Sequence, residues 1–460
     1  MRFDPAGRLV AVGGVGVSGR AAALALARLG ADVIAVDARD GAEQRATAAE
    51  LSAAGVRVRL GDATVLPDRV DLVVTSPGWR PDQPLLTAAL RSGVEVIGEV
   101  ELAWRLRPPG AAPWLAITGT NGKTTTTRMA AAMLGAAGRR VVAAGNVGTP
   151  LVDAVLTEPA PEVVVAELSS FQLHWSVSLA CAAGALLNLA QDHLDWHGSF
   201  AAYTADKLKI WAGGLALGNR DDPEVAARLA DVAGRTVAVT LGRPREGELG
   251  VEDGYLVDRA FAEAALLARV EDVRPSGPHH LANALAAAGL ARSRGVEADA
   301  VARGLAGLRL EPHRGDVVAT VDGVAYVDDS KATNPHAATA SITAHTRVVW
   351  IVGGLLKGAD LTPAVRAAAD RLAGAVVVGV DRGAVLEALT RHAPQVPVVE
   401  VARTDTGAMD EAVTSAARLA TPGTTVLLAP AAASMDMFRD YAERGEAFVA
   451  AVVALAARRR

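Results

Sequence analysis

The residues best suited to chemistry in this chain form one short string, TGTNGKTTTT, from Thr118 to Thr127. The string follows an apolar run, Trp114 to Ile117, which predicts a buried strand. Gly119 and Gly122 would let the backbone turn tightly, so that its N–H groups and the N-terminus of the next helix point at anionic oxygens. A lysine and a threonine directly after the second glycine are typical of a phosphate-binding loop.

This loop departs at one position from the common pattern G-x-x-x-x-G-K-[ST], because Ile117 stands where that pattern has its first glycine. The sequence therefore predicts a variant loop, and a glycine- and threonine-rich turn that merely opens a helix is the alternative. In the phosphate-binding interpretation, Lys123 reaches the terminal phosphates and Thr124 is a ligand of Mg²⁺. The other loop residues expected to contact ATP are Gly119, Thr120, Asn121, Gly122 and Thr125.

Acids and histidines follow the loop along the chain. Glu167 comes directly after the predicted strand Val163 to Ala166, where a carboxylate can face the metal of the loop, although a helix-capping acid is the alternative. The stretch Asn188 to His197 holds two acids and two histidines. We disfavour zinc there, because no cysteine accompanies the histidines and no HExxH pattern is present, and we interpret His193 as a metal or substrate contact rather than a structural histidine.

The first hundred residues contain a glycine pattern of a different kind. Gly14-x-Gly16-x-x-Gly19 follows a predicted strand and opens a helical stretch, and Asp37 ends the next strand at the spacing of a ribose-binding acid. The same turn serves NAD, other nucleotides with a pyrophosphate, or only tight packing of strand and helix, and the pattern does not choose among them. Ser76-Pro77-Gly78 is a second turn at the carboxyl end of a strand, where open α/β sheets bind ligands.

The last third of the chain collects cationic and hydroxyl groups after predicted strands. His313-Arg314 follows a proline, and DDSKATNP, from Asp328 to Pro335, follows the predicted strand Val324 to Val327. Arginine presents a planar fork to phosphate or carboxylate, and a lysine with hydroxyls at the start of a helix suits another anion. With Gly353-Gly354-x-x-Lys357 and the string from Ala429 to Phe438, this block favours recognition of a carboxylate; a solvated charged loop is the alternative.

Composition limits the class of protein. The formal net charge of −5, with Lys and Arg spread along the chain, argues against a nucleic-acid partner. A single cysteine, Cys181, excludes an intrachain disulfide and fits a reducing compartment. We find no export signal and no apolar run long enough to span a bilayer, so we expect a cytoplasmic protein. We also expect a monomer.

The 460 residues suggest about three domains. Short apolar runs alternate with alanine-rich helical stretches, which predicts α/β layers, and prolines near Arg107 to Gly110 and Glu311 to His313 mark the breaks. We predict an N-terminal Rossmann-like domain at 1–109, a central α/β domain of the P-loop ATPase type at 110–311 and a C-terminal Rossmann-like domain at 312–460. The other predicted strands are Leu9 to Val12, Val33 to Val36, Leu72 to Thr75, Val348 to Val352, Val376 to Val380 and Thr425 to Leu428.

Taken in order, TGTNGKT, AGNVG, ELSSFQL, NLAQDHLD, the segment around Lys207, HHLAN, EPHRG, DDSKATNP, GGxxK and APAAAS closely resemble the Mur ligases over nearly the whole chain. The resemblance implies an ATP-dependent ligase of peptidoglycan precursor synthesis. Its first block and the strings ELSSFQL and DDSKATNP favour the addition of D-glutamate to UDP-N-acetylmuramoyl-L-alanine through an acyl phosphate. The glycine pattern of the first block is then expected to bind UDP rather than NAD.

The resemblance also implies a role for each candidate residue. Expected contacts of the UDP-linked substrate are Gly16, Val17, Ser18, Asp37, Ser76, Gly78, Asn146 and Ser169. Expected catalytic residues are Lys123, Glu167, His193 and Lys207, and the expected ligands of two Mg²⁺ ions are Thr124, Glu167, His193 and Lys207 as its carbamate. Asn283 is expected at adenine, Arg314 at phosphate and Asp329 at ribose, with D-glutamate bound by Lys331, Thr333, Lys357, Ser434 and Tyr441.

Three positions depart from the family pattern: His280 stands where asparagine is frequent, Ala429 where serine is frequent and Tyr441 where phenylalanine is familiar. They affect the expected purine and side-chain pockets and leave the phosphate loop intact. Three competing functions stay open at this stage. They are a nicotinamide-dependent oxidoreductase, a nucleotide-controlled binding module without catalysis, and a related ligase with another acceptor such as L-glutamate.

Overall fold

Strands and helices alternate along the chain and form three separate sheets in the computed structural model, which describes residues 3–308 and 312–459. The central strands are apolar runs buried on both faces, as parallel strands covered by helices must be. Leu72–Thr75 and Val348–Gly353, for example, contain only buried residues. The predicted α/β class with three mostly parallel sheets is confirmed.

The first sheet has five parallel strands in the order β3-β2-β1-β4-β5. Its strands are β1 Leu9–Gly13, β2 Asp32–Asp37, β3 Arg57–Leu60, β4 Leu72–Thr75 and β5 Glu95–Gly98. Its helices are α1 Val17–Arg28, α2 Ala42–Ala53, α3 Pro84–Arg91 and α4 Glu99–Leu106. The strand order reverses between β1 and β4, so the loops after these two strands meet at the switch point where such sheets bind ligands.

The second sheet has nine strands in the order β14-β13-β12-β11-β10-β9-β6-β8-β7, with antiparallel pairing only from β12 to β14. Its strands are β6 Trp114–Thr118, β7 Val141–Gly145, β8 Val163–Glu167, β9 Ala183–Leu186, β10 Leu215–Asn219, β11 Thr236–Val239, β12 Glu248–Glu252, β13 Tyr255–Asp258 and β14 Ala265–Arg269. Its helices are α5 Lys123–Ala136, α6 Leu151–Val155, α7 Ser170–His174, α8 Leu194–His197, α9 Phe200–Leu208, α10 Pro223–Ala230, α11 Pro278–Arg292 and α12 Ala298–Ala306, with 3₁₀ turns at Lys209–Trp211 and Val270–Asp272.

The third sheet has six strands in the order β15-β16-β20-β17-β18-β19, parallel except for the pair β15 and β16. Its strands are β15 Asp316–Val321, β16 Val324–Asp328, β17 Val348–Gly353, β18 Leu372–Val378, β19 Val398–Glu400 and β20 Thr425–Leu428. Its helices are α13 Pro335–Thr343, α14 Thr362–Ala368, α15 Arg382–His392, α16 Ala408–Leu419 and α17 Tyr441–Arg458, with a 3₁₀ turn at Ala369–Arg371.

β18 differs from its prediction, because it ends at Val378 rather than at Val380. Gly379 has a φ of +87°, and a Cβ there would lie 2.4 Å from Cα of Gly354. The backbone therefore leaves the sheet at Gly379, and Val380 is left half exposed.

The described residues form two compact units. One contains the residues up to Arg274 together with His280–Leu308, and the other contains Pro275–His279 together with the described residues after Leu308. The first two sheets thus share a unit and the third belongs to the other. The predicted domain limits remain predictions, and Glu311, at one of them, lies outside the described residues. None of the described helices is long and apolar enough to cross a membrane.

Two buried acids of α4 join the first sheet to the second. Glu101 is fully buried and accepts hydrogen bonds from the backbone N–H groups of Val177 and Ser178 at 2.9 and 3.0 Å. Glu99 accepts one from the backbone N–H of Val152 at 2.6 Å. Burial raises the pKa of Glu99 to about 7, and this hydrogen bond only partly opposes the rise.

We expect Glu99→Gln to remove a pH dependence of stability. Because the pKa of Glu99 in the folded chain, about 7, lies above its usual 4.5, its contribution is fully present below pH 4.5 and is lost as the pH rises through 7. That difference corresponds to up to about 3 kcal/mol in the free energy of unfolding.

Denaturant unfolding at several pH values, from about 5 to about 8, checks this expectation. Wild type should lose stability relative to Glu99→Gln over that range, whereas Glu263→Gln, a change of an exposed acid, should follow wild type. Equal pH dependence in all three proteins would contradict the expectation.

Candidate active site

The predicted phosphate loop lies at the carboxyl end of β6 and leads into α5. Gly119 and Gly122 have φ values of +157° and +84°, which side chains rarely adopt, so both predicted glycines are needed for the turn. Asn188, which follows β9, fixes the loop from the side. Its Oδ1 accepts a hydrogen bond from the backbone N–H of Asn121 at 2.8 Å, and its Nδ2 donates to the carbonyl of Asn121 at 3.1 Å.

A close contact leaves room only for glycine at position 122, directly before α5. A Cβ on Gly122 would lie 2.4 Å from Oδ1 of Asn283, a residue of α11. Asn283 is buried, so the amide side chain occupies the space that any larger residue at position 122 would need. Asn283, predicted at adenine, is thus placed directly beside the phosphate loop.

Two lysines converge on this loop. Nζ of Lys123 donates to the carbonyl oxygens of Gly119 and Thr120, each at 3.0 Å. Nζ of Lys207, on α9, donates to the same carbonyl of Gly119 at 2.9 Å and to Oγ1 of Thr118 at 3.3 Å. Burial, and after it the charge of Lys123, lowers the pKa of Lys207 well below its usual 10.5. The structure therefore concentrates amine groups where anionic oxygens would be held.

Tyr203 connects the loop to Lys207 and is a residue that the sequence analysis missed. Its hydroxyl lies 2.9 Å from Oγ1 of Thr120, and Nζ of Lys207 lies 4.8 Å from its ring centroid. Burial raises the pKa of Tyr203 well above its usual range, so its hydroxyl stays protonated. The spacing of four residues from Lys207 on one helix was the available signal.

Glu167 ends β8 beside the phosphate loop, because β8 pairs with β6. Its side chain is buried, and Oε1 accepts a hydrogen bond from Nδ2 of Asn146 at 2.9 Å. Oε2 is buried without a hydrogen-bond partner among the described residues. A buried carboxylate oxygen without a partner is costly, and a hard cation is a ligand that would satisfy it. Thr124, the other predicted oxygen ligand, is also buried, in the first turn of α5.

His193 precedes α8 with a strained φ of +53°. Its ring packs on Phe171, with 4.7 Å between ring centroids, and its Nε2 lies 3.6 Å from Oδ2 of Asp192. Burial lowers the pKa of His193, Asp192 opposes this, and the charges of Lys123 and Lys207 act with burial. The ring is therefore held neutral, which is the form that can coordinate a metal.

A polar cluster that was not predicted lies on the other side of α9. Oδ2 of Asp206 lies 2.8 Å from Nδ1 of His174 and 3.2 Å from Nδ1 of His197, and Nζ of Lys209 lies 3.0 Å from its Oδ1. Burial would raise the pKa of Asp206, but the hydrogen bonds from both histidines and from Lys209 outweigh it and hold that pKa well below its usual range. Nε2 of His197 is 2.9 Å from Oγ of Ser170.

The predicted UDP contacts of the first block lie at the switch point of the first sheet. Gly14 has a φ of +90°, and a Cβ on it would lie 2.5 Å from Oγ of Ser76. The loop after β1, which contains Gly14, therefore packs closely against the loop after β4, which contains Ser76. Oγ of Ser76 is buried and has no hydrogen-bond partner among the described residues. Around it, Gly16, Val17 and Gly78 are exposed, and Ser18 is half buried.

Two other predicted substrate contacts have structural partners. The carboxylate of Asp37 is buried and accepts hydrogen bonds from the backbone N–H groups of Val15 at 3.0 Å and Arg39 at 2.9 Å. Oγ of Ser169 caps α7 by accepting a hydrogen bond from the backbone N–H of Gln172 at 3.2 Å. Asp37 thus shapes the glycine loop and Ser169 the start of α7, and their contacts with substrate stay predictions.

In the second unit, the first turn of α17 meets the loop after β16. Nζ of Lys331 lies 3.9 Å from the ring centroid of Tyr441, and the carbonyl of Tyr441 accepts a hydrogen bond from Oγ of Ser330 at 2.7 Å. Arg444, which the sequence analysis missed, is buried and donates to the carbonyls of Ser330 and Ala432 at 2.9 and 3.1 Å. Burial lowers the pKa of Arg444 to about 10. The two loops with predicted amino-acid contacts are therefore held by one guanidinium group.

The other predicted site residues of this unit range from buried to exposed. Burial raises the pKa of Asp329 to about 7, although a hydrogen bond from Ser341 opposes the rise. Ser434 is buried, Thr333 is half buried, and Lys357 is exposed with a φ of +53°. Asp329 and Arg314 belong to this second unit, so their predicted contacts with ATP remain predictions.

Comparisons with known protein families give one matching domain for each of the three sheets. Residues 8–98 match the MurD-like N-terminal domain of Mur ligases, residues 117–291 the Mur ligase middle domain, and residues 313–432 the Mur ligase glutamate ligase domain. The chain belongs to the Mur ligase family.

Relatives with similar sequences cover nearly all of the chain. It is 58% identical to the UDP-N-acetylmuramoylalanine--D-glutamate ligase of Thermobifida fusca, over 98% of this chain and 99% of that protein. It is 55% identical to the enzyme of the same name from Streptomyces avermitilis, with the same coverage, and 51% identical to that of Mycolicibacterium smegmatis, over 97% of this chain and 96% of the relative.

Solved structures show the same fold at low sequence identity. UDP-N-acetylmuramate-alanine ligase MurC from Thermotoga maritima has a TM-score of 0.59 at 19% identity, over 97% of this chain and 99% of that chain. A pseudomurein peptide ligase type C from Methanothermus fervidus has a TM-score of 0.57 at 18% identity, over 97% of this chain and 100% of that one.

We expect Gly122→Ala to weaken nucleotide binding far more than Gly138→Ala. Gly138 has a nearly equal φ of +78°, but a Cβ there would meet no heavy atom within 4 Å, whereas a Cβ on Gly122 would collide with Asn283. Both variants should lose about 1 to 2 kcal/mol of stability through left-handed strain. Only Gly122→Ala should raise the dissociation constant for ATP, by about tenfold or more, since the loop must shift.

Calorimetric titration with ATP, together with denaturant unfolding, measures both effects. If the two variants bound ATP equally well, the contact with Asn283 would not shape the loop.

Proposed function

We propose that this chain is the ATP-dependent ligase that joins D-glutamate to UDP-N-acetylmuramoyl-L-alanine during synthesis of the peptidoglycan precursor. The observation that carries the proposal is the meeting of Lys123 and Lys207 at the carbonyl of Gly119, in a loop that β8 places beside Glu167. The relatives named above, up to 58% identical over almost the full chain, support the choice of substrates. ATP and a UDP-linked precursor would both be met in the cytoplasm, where we expect the chain to act.

The reaction would proceed in two steps. The terminal carboxylate of the L-alanyl residue attacks the γ-phosphorus of ATP, and the bond to the bridging oxygen breaks, giving an acyl phosphate and ADP. The neutral amine of D-glutamate then attacks the acyl carbon, inorganic phosphate leaves, and the amine loses a proton as the amide forms. No protein nucleophile is needed, so the chain must chiefly hold two anions in contact.

Lys123 supplies part of that electrostatic work. Its ammonium group already lies at the loop, on the carbonyls of Gly119 and Thr120, and would contact phosphate oxygens bound there. A fixed cation offsets the repulsion between carboxylate and phosphate without reorganising solvent.

The residues present fit a site for Mg²⁺. Oε2 of Glu167 is a buried carboxylate oxygen without a partner among the described residues, and Thr124 offers a hydroxyl in the first turn after the loop. Glu167, Thr124, His193 and Lys207 as its carbamate would hold two ions. When bound, Mg²⁺ neutralises charge on the transferred phosphoryl group.

Burial of Lys207 supports its carbamylation. A lysine adds CO₂ only as the neutral amine, and burial lowers the pKa of Lys207 well below its usual 10.5. The product carries a carboxylate in place of a cation, and its remaining N–H can still donate to the carbonyl of Gly119. Lys207 would thereby become an oxygen ligand.

The two outer sheets would bind the reacting partners. At the switch point of the first sheet, Gly16, Val17, Ser18, Ser76 and Gly78 would contact UDP, with Asp37 holding the loop. Asn146 and Ser169 would meet the sugar-peptide portion. In the second unit Lys331, Thr333, Lys357, Ser434 and Tyr441 would bind the carboxylates of D-glutamate, and Arg314, Asp329 and Asn283 would contact ATP.

A phosphate-release assay tests this assignment. With UDP-N-acetylmuramoyl-L-alanine, ATP and D-glutamate we expect phosphate release that stops when any one component is omitted, and release with L-glutamate lower by about 100-fold. Equal rates with L-glutamate would identify a ligase with another acceptor. ATP binding without release under any combination would identify a binding module, and a change in nicotinamide absorbance would identify an oxidoreductase.

We expect Lys123→Ala to lower turnover by about 100- to 1,000-fold, because it removes a charge needed in the transition state. Stability should change by no more than about 1 kcal/mol, since the lysine is only half buried and its hydrogen bonds to Gly119 and Thr120 are replaceable by water. Arg294→Ala removes an exposed cation from the same unit and should leave turnover unchanged. A Lys123→Ala enzyme that kept most of its turnover would contradict this role.

A further inference from the structure

We propose that Asp206, held by His174, His197 and Lys209, is a positioning residue that fixes the side chain of Lys207 at the phosphate loop. Its importance for turnover rests on the proposed function, whereas its effect on Lys207 itself can be measured without any substrate.

Asp206 and Lys207 are neighbours on α9 whose side chains extend to different surroundings. Lys207 reaches the phosphate loop, where Nζ contacts the carbonyl of Gly119 at 2.9 Å. Asp206 extends toward α7 and α8 instead, where it meets the two imidazoles. Fixing the carboxylate therefore fixes the rotation of α9, and with it the direction in which Lys207 leaves the helix.

The contacts of Asp206 tie three short helices together. Both oxygens of its carboxylate have partners: Oδ2 faces the Nδ1 atoms of His174 and His197, and Oδ1 faces Nζ of Lys209. Lys209 also donates to the carbonyls of Leu173 and His174, in the last turn of α7, at 2.9 and 2.8 Å. These helices are short, with five residues in α7, four in α8 and nine in α9, and would not be stable alone.

Each of these helices has a residue of the proposed reaction at one of its ends. Ser169 precedes α7, His193 precedes α8, and Lys207 lies in the last turn of α9. Phe171 of α7 lies between two rings of this region, 4.7 Å from that of His193 and stacked at 5.6 Å on that of His197. A shift of the Asp206 contacts would reach Lys207 first, because the two residues are adjacent.

The same atoms could instead hold a metal ion, since the three ligand atoms of His174, His197 and Asp206 lie within 4.8 Å of one another. We favour the hydrogen-bonded arrangement, because the ammonium group of Lys209 already lies on the carboxylate and would repel a cation. Nε2 of His197 is also engaged with Oγ of Ser170 at 2.9 Å.

Chemical labelling of Lys207 tests the proposal directly. The chain has only five lysines, so reductive methylation followed by mass spectrometry can report each one. In CO₂-free buffer without nucleotide, Lys207 of wild type should react slowly because its side chain is 2% exposed, with the exposed Lys357 as internal reference. In Asp206→Asn the ratio of Lys207 to Lys357 labelling should rise by about fivefold or more.

Matched variants separate positioning from loss of folding. His174→Asn keeps a donor near the place of Nδ1 and should retain the low ratio, whereas His174→Leu removes the donor and should raise it. Asp231→Asn, a change of an exposed aspartate in the same unit, should behave as wild type. If Asp206→Asn does not fold, as judged by circular dichroism, the two His174 variants decide the question.

Turnover gives the second measurement. Asp206→Asn should lower kcat by about tenfold or more while KM for ATP changes by less than about twofold, because a displaced lysine affects the reaction more than nucleotide binding. Faster labelling of Lys207 with unchanged kcat would support the positioning role and contradict the proposed part of Lys207 in the reaction.

Two results would overturn the inference. The first is an unchanged labelling ratio in folded Asp206→Asn. The second is stoichiometric binding of Co²⁺, seen as a visible absorption band, that is lost in both Asp206→Asn and His174→Leu, since the cluster would then be a metal site.

Discussion

The carbonyl oxygen of Gly119 is the point on which the candidate site depends. Two amines, those of Lys123 and Lys207, donate to this one oxygen in a buried loop, and each disfavours the charge of the other. Such an arrangement is costly unless anions enter or one amine becomes neutral. Both outcomes suit phosphoryl transfer to a carboxylate. The two amines therefore meet in the same loop as the left-handed turn at Gly122, where a Cβ would collide with Asn283.

Parallel strands explain why distant parts of the sequence supply this site. β6, β8 and β9 are neighbours in the second sheet, and their carboxyl ends lead into the phosphate loop, Glu167 and the segment with Asn188. The side chain of Asn188 then fixes the loop that β6 begins. The first sheet follows the same rule at the switch point between β1 and β4, where Gly14 meets Ser76.

Much of this could be predicted from the sequence, because glycines with obligatory backbone angles and apolar runs are local signals. Gly119, Gly122 and the strand before them were predicted, and Glu167 was correctly placed at a strand end. Contacts between side chains from separate helices were not predictable in that way. The four-residue spacing places Tyr203 and Lys207 on one face of a helix but does not say that the tyrosine hydroxyl meets Thr120, and the two histidine partners of Asp206 lie 32 and 9 residues away in the chain. Arg444 was missed for the same reason, since buried arginines are rare and its acceptors lie on other loops.

α9 shows how adjacent residues can meet opposite physical demands. The buried surroundings of Lys207 disfavour its charged form, whereas the hydrogen-bond donors around Asp206 favour the charged carboxylate. Successive residues of a helix leave its axis about 100° apart, so the backbone of α9 separates the two environments. If both side chains faced the same way, the carboxylate would pair with the ammonium group and stabilise the charged lysine. The lowered pKa of Lys207 follows first from burial and then from the charge of Lys123, and the contacts of Asp206 with His174 and His197 keep its carboxylate from pairing with the amine.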